Sequence, residues 1–144
     1  MKTILVAYDD TAPSKRALER AATLAEAFGS RVLVTSISTL THSGPRSATH
    51  LARTEGPADR DEDVQQGQAM LAERGIEAEA VTALGDPASA IARLAEERGA
   101  DLVVIGTRGL GPVQRLLGQS VSQAVSRRVR CDLLIVHPGP EAAD

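Results

Sequence analysis

The sequence predicts an α/β domain: an open parallel sheet of five strands with helices on both faces. Four apolar runs are nearly continuous and rich in branched residues, the pattern of strands buried on both sides. A fifth run alternates polar with apolar residues, the pattern of an edge strand with one solvated face. Stretches with apolar residues at helical spacing separate the runs. Strand and helix therefore alternate strictly, β-α-β-α-β-α-β-α-β, and such crossovers enforce parallel pairing.

The first run is Ile4-Leu5-Val6-Ala7-Tyr8. It is too short for a secretory leader and reads as a strand. Ala17, Leu18, Ala21, Leu24, Ala25 and Phe28 then recur on one helical face, and Gly29 follows as a C-terminal cap. Val32-Leu33-Val34 is the second run. Residues 39–57 are rich in Ser, Thr, Gly, Pro and His, and so long a connection reads as a lid, a binding loop or a disordered segment. Residues 59–74 form the weakest helical pattern, because Gly67 interrupts it and Val64, Met70 and Leu71 are its main apolar residues. Glu77-Ala78-Glu79-Ala80-Val81 is the alternating run. Asp86-Pro87 supplies an N-cap and a first helical residue for the stripe Ala90, Ile91, Leu94 and Ala95, which Gly99 ends. Leu102-Val103-Val104-Ile105 is the fourth strand. Leu116, Leu117, Val121, Ala124 and Val125 form the last helical stripe, and Leu133-Leu134-Ile135-Val136 the last strand. Residues 1–138 read as one domain and 139–144 as a frayed tail.

Composition excludes several classes. With 16 Lys+Arg against 19 Asp+Glu the net charge is -3, which argues against a nucleic-acid coat. Tyr8 and Phe28 are the only aromatic residues, too few for a base-stacking platform. No apolar stretch approaches the ~20 residues of a membrane span. Cys131 is the single cysteine and reads as a small filler beside a strand. A chain without an internal disulfide fits a reducing compartment, and the expectation is a cytoplasmic protein. His42, His50 and His137 show no metal-ligand spacing with Cys131 or one another.

Open parallel sheets bind ligands beyond the carboxyl ends of their strands, where strand order reverses. Two loops therefore matter: Asp9-Asp10-Thr11 and Gly106-Thr107-Arg108-Gly109-Leu110-Gly111-Pro112. Three glycines in the second let the backbone approach a ligand and turn its amides inward as an anion nest. Ser120 lies near the start of the last helix, where free N–H groups favour phosphate, and Arg108 and Arg115 add charge. The alternative is a plain strand-to-helix turn with Ser120 as a cap. Asp9 and Asp10 have two readings as well: a hydrogen-bond acceptor for a base or ribose, or simple capping of the first helix with Thr11. Arg127, Arg128 and Arg130 suit the C-terminal end of the last helix.

Other motifs fail. No Gly-Lys pair exists for a P-loop, and Gln114 stands where a third dinucleotide-binding glycine would fall. Gly118-Gln119-Ser120-Val121-Ser122 lacks the closing glycine of a nucleophile elbow. The expectation is a binder and not an enzyme, with weak ATP hydrolysis at most.

Taken together, these segments resemble the universal stress protein family over nearly the whole chain. Ile4 to Asp9 is similar to the family's first strand with its terminal Asp, and Gly85-Asp86-Pro87 to its Gly-x-Pro helix start. Asp101 to Gly106 and Cys131 to Val136 are similar to its fourth and fifth strands. The signature G-x2-G-x9-G-S/T of ATP-binding members is matched by Gly106, Gly109 and Ser120, but Gln119 occupies the third glycine position. Asp10 stands where a Gly is usual and Thr11 where a Ser is usual.

The resemblance implies a Rossmann-like fold of the adenine nucleotide alpha hydrolase type, with strand order 3-2-1-4-5 and a homodimer paired through strand 132–137. It implies a stress-response regulator that binds an adenine nucleotide, ATP first, at Asp9, Ile37, Gly106, Arg108, Gly109, Gln119, Ser120 and Val121. In this reading Ile37 packs on adenine, and Asp9 or Asp10 helps hold Mg²⁺ on the phosphates. Two alternatives stand beside it. Gln119 favours a nucleotide-free module that acts through a protein partner. The Arg-Leu-Leu-Gly and Ser-Arg-Arg segments at 115–118 and 126–128 resemble members that bind cAMP, and AMP is a further candidate.

Overall fold

The computed structural model describes residues 1–38, 57–107 and 120–137. Within them the chain runs β1 (Thr3–Ala7), α1 (Ala12–Phe28), β2 (Arg31–Ser38), α2 (Pro57–Glu73), β3 (Ala78–Leu84), α3 (Pro87–Arg98), β4 (Leu102–Gly106), α4 (Ser120–Arg128) and β5 (Asp132–Val136). The strands form one sheet in the order β3-β2-β1-β4-β5. All four pairings are parallel, with Leu5 opposite both Leu33 and Val103 at the centre. The implied order 3-2-1-4-5 is the one observed.

Alternation along the strands sends side chains to two cores. Ile4, Val6, Tyr8, Val32, Val34, Leu102 and Val104 pack under α1 and α2. Leu5, Leu33, Val103 and Ile105 pack under α3 and α4 with Ile91, Leu94 and Val125. Burial on both faces explains why the central strands lack polar alternation. The edge strand β3 has no sealed residue: Glu79, Thr82 and Leu84 are exposed and the rest half-buried, so it does not keep one wholly solvated face as its sequence alternation suggests. Among the described residues no helix is long and apolar enough to cross a membrane.

Two sequence expectations change. Phe28 does not continue the buried face of α1: it is 58% exposed, and the buried stripe ends at Ala25. It occupies the last helical residue before the left-handed cap Gly29, where the helix has run past the sheet. Gly67 does not break its helix. α2 passes through it, and a Cβ there would lie 3.1 Å from Val34 Cγ1 and 3.3 Å from the Tyr8 ring. The glycine thus admits the helix onto the largest side chain of that core. Pro57 opens this helix, whereas residues 39–56 and the tail 138–144 lie outside the described residues, as do His42 and His50. Cys131 is half-buried beside Leu133, Val129 and Ala100 in the second core, as a filler would be.

The third helix begins as the sequence predicts. Asp86 caps it by accepting a hydrogen bond from the Ser89 amide at 3.0 Å. Arg128 reaches Asp86 at 3.6 Å and donates to Ser89 Oγ. It therefore ties the end of α4 to the start of α3, a role beyond favouring its own helix dipole.

Candidate functional site

Chain order steps outward from β1 through β2 to β3, then returns to β4 on the other flank. The reversal lies between β1 and β4, so the crevice forms where their carboxyl ends diverge. Two backbone hydrogen bonds extend the sheet to its rim: Tyr8 N–H to Thr35 O at 2.9 Å and Thr107 N–H to Val136 O at 3.1 Å. Asp9 leaves β1 at this rim. Ile37, half-buried, lies one residue before the end of β2, paired with Ala83 of β3. Gly106 ends β4 opposite Val136.

The loop after β1 is built by hydroxyl groups. Thr11 is the N-cap of α1, in extended conformation, and forms a capping box with Ser14. Ser14 Oγ accepts the amides of Asp9 at 3.2 Å and Thr11 at 3.1 Å, and donates to Thr11 O at 3.0 Å. Asp9 Oδ1 accepts the Thr11 hydroxyl at 2.6 Å and the Thr11 amide at 3.3 Å. The capping alternative is thus realised by Thr11, with Asp9 orienting it. Ser14 was not among the residues singled out in the sequence. Its signal was there as a Thr-x-x-Ser box in place of the commoner Ser/Thr-x-x-Glu.

Asp10 turns away from the crevice. It is the only described non-glycine residue at positive φ, +63°, a region that Asp tolerates better than most L-residues. Its carboxylate accepts the Tyr8 hydroxyl at 3.3 Å and pairs with Lys15 at 3.4 Å. Tyr8 OH also lies 3.7 Å from Met70 Sδ. Burial above all, and then the Asp10 carboxylate, hold the Tyr8 phenol well above its ordinary range. Asp10 therefore serves the fold on the α2 side of the sheet.

Gly106 has a packing duty. A Cβ there would meet the carbonyl carbon and oxygen of Pro13 at 2.8 Å and Pro13 Cβ at 2.9 Å. The first turn of α1 rests directly on the end of β4, which draws Asp9 and Gly106 to either side of one crevice. Ser120 and Val121 are the first residues of α4, the helix that follows β4 in the chain. Arg108, Gly109, Arg115 and Gln119 lie outside the described residues. Among the described residues no cluster of His, Cys, Asp or Glu could hold a metal ion.

What the arrangement offers is one carboxylate, an apolar shelf at Ile37 and Ala83, and a helix start. Residues 1–137 match the profile of the Universal stress protein family. A universal stress protein of Mycobacterium tuberculosis is 35% identical over 142 residues, covering 94% of this chain and 96% of the relative. One from Thermus aquaticus is 37% identical over 140 residues, covering 94% and 98%. A crystal structure of a universal stress protein in complex with cAMP superimposes with a TM-score of 0.74 at 28% identity, over 96% of this chain and 98% of that one. The fold of the Lactobacillus plantarum protein UspA also matches, with a TM-score of 0.77 at 19% identity over 94% and 97% of the two chains. The chain belongs to the universal stress protein family.

Proposed function

We propose that this chain binds an adenine nucleotide, ATP first, in the crevice beyond β1 and β4, and acts as a dimeric stress-response regulator in the cytoplasm. The observation that carries the reading is the likeness along nearly the whole chain to a universal stress protein in complex with cAMP. The geometry supports it. A half-buried Ile37 beside Ala83 provides an apolar surface for a base, and Asp9 stands at the strand-order reversal. The start of α4 at Ser120 and Val121 offers amides to phosphate. Arg108, Gly109 and Gln119 join the phosphate side by their place in the signature.

On this reading binding is the function, with hydrolysis slow at most. Asp9 gives Mg²⁺ a single carboxylate, which fits a metal carried by the phosphates better than one caged by protein. The dimer forms through β5, an outer strand whose Leu133, Leu134 and Ile135 are only half-buried, because an uncovered apolar edge invites pairing. A protein partner reads the liganded state. Gln119 in the third glycine position favours a second reading, a nucleotide-free module of the same fold.

Calorimetric titration of the full chain with ATP, AMP and cAMP, with and without Mg²⁺, tests the reading. Uptake of at least one is expected, ATP most tightly. Gly109→Val should abolish uptake with the fold intact, and unchanged affinity would refute the phosphate nest. Absence of any heat with all three, together with no adenine absorbance released on denaturation, selects the nucleotide-free module. A monomer in sedimentation would remove the β5 dimer.

A further inference from the structure

The α3–α4 face of the sheet carries an unexplained polar group near its carboxyl end. Thr35 sits between Ala7 of β1 and Val81 of β3 in the register. Its side chain shares a face with Leu33 and Ile37, since alternate residues of a strand point the same way. It is 0% exposed, and its hydroxyl has no hydrogen-bond partner among the described residues. Buried polar groups almost always find partners, and leaving one unpaired is unfavourable. Valine has the same shape and equal strand preference without that penalty, so strand formation does not explain a threonine here. Ser36 Oγ, on the opposite face, and Thr107 Oγ1, at the exit of β4, are buried and unpartnered as well; of these Thr107 bears on the same side as Thr35. Alternation from Val103 and Ile105 places it on the same face.

The surroundings of Thr35 are graded. Leu33, deeper along the strand, is sealed in the core. Ile37, toward the rim, is only half-buried, and so are Ala7, Val81 and Ala83. Ala7 is the direct register partner, one strand spacing away at about 4.8 Å, and its methyl leaves the approach to Oγ1 lower than any branched residue would. The hydroxyl is thus buried where the sealed core passes into the half-buried rim of the same face, on the side where β1 leads to Asp9.

We propose that Thr35 is the base-reading hydroxyl of the nucleotide site. A nucleobase laid on the shelf of Ala7, Ile37 and Ala83 brings its polar edge to Oγ1. The hydroxyl then donates to a ring nitrogen or accepts from an exocyclic amine, both within its repertoire. This rests on the nucleotide reading above and names a residue for its base subsite that the signature does not contain.

The test separates affinity from stability. Thr35→Val removes the unpaired hydroxyl and keeps the shape, so its unfolding midpoint in the absence of ligand should equal or exceed that of the wild type. Thr35→Ser keeps the hydroxyl but loses a methyl, so its midpoint should fall. Titration with ATP should show the opposite order: Thr35→Val about tenfold weaker or worse, Thr35→Ser within about threefold of wild type. If Thr35→Val binds ATP like the wild type, or if affinity follows stability in both variants, the inference is overturned while the nucleotide reading stands. A wild type that takes up no adenine nucleotide overturns both.

Discussion

Replacing Gly106 by alanine tests whether this glycine serves the fold before it serves any ligand. The added Cβ would approach Pro13 C and O at 2.8 Å and Pro13 Cβ at 2.9 Å. Carbon contacts are optimal near 3.5–4.0 Å, so the separation must grow by roughly 0.7 Å or more. Two of the three atoms are backbone, in the first turn of a helix held by the Thr11–Ser14 box, and cannot swing aside as a flexible side chain would. Overpacking of this kind costs roughly 1–3 kcal/mol, and a backbone clash belongs at the upper end. Alanine regains about 0.5–1 kcal/mol of strand entropy over glycine. The expected net loss is about 2 kcal/mol, or some 4–8 °C in melting temperature for a chain of this size. Urea unfolding of the wild type and Gly106→Ala, followed by far-ultraviolet circular dichroism, reads it directly. The midpoint should fall with an unchanged slope. A variant within about 0.5 kcal/mol of the wild type would refute the packing argument. Loss of nucleotide uptake in this variant alone would then point to a ligand contact.

Three further outcomes follow from the same contacts. Tyr8 is the sole tyrosine, and its raised pKa means the folded state resists ionisation. Stability from this group is complete below the unfolded value near 10 and is lost as pH rises beyond it; Tyr8→Phe should remove that alkaline loss in pH-dependent melting. Asp101 accepts the amides of Lys2 at 2.7 Å and Thr3 at 2.9 Å, and these bonds hold its carboxyl below the ordinary range. Its contribution is present above an unfolded pKa near 3.9 and lost as pH falls through the depressed value; Asp101→Asn should therefore destabilise at pH 7 and converge with the wild type in acid. Gly67→Ala gains about 1 kcal/mol of helix propensity but presses on Val34 and Tyr8, both fully buried. A net loss of up to about 1 kcal/mol is expected in urea unfolding, and a gain would show that α2 has slack.

The strands were legible because burial on both faces leaves a continuous apolar record, and α3 because Asp86-Pro87 and Gly99 mark both its ends. The spatial order of the strands left no such local trace. It depends on which pairs meet, and it came from resemblance to a family. α2 was hard to read because its glycine serves tertiary contact with Tyr8 and not local helix formation. Phe28 misled because helical spacing records angle but not how far the sheet extends. At the site, Asp9 was picked out by its place at a strand end, and Ile37 by resemblance to the family. The close approach of Pro13 to Gly106 was hidden, since a glycine that admits a neighbouring helix and one that admits a phosphate look alike in sequence. Thr35 was hidden for a different reason: in a strand, threonine reads as another β-branched residue until its hydroxyl is found without a partner.

The Asp9 carboxylate enters any recognition event half committed. Among the described residues one oxygen is claimed twice by Thr11, by hydroxyl and by amide, and the other keeps its acceptor sites for a ligand. A sugar that donated both of its neighbouring hydroxyls to this carboxylate would have to bring them to one atom, not to one oxygen each. Removal of the 2′ hydroxyl would then cost one of two bonds at a shared atom and leave the other in place.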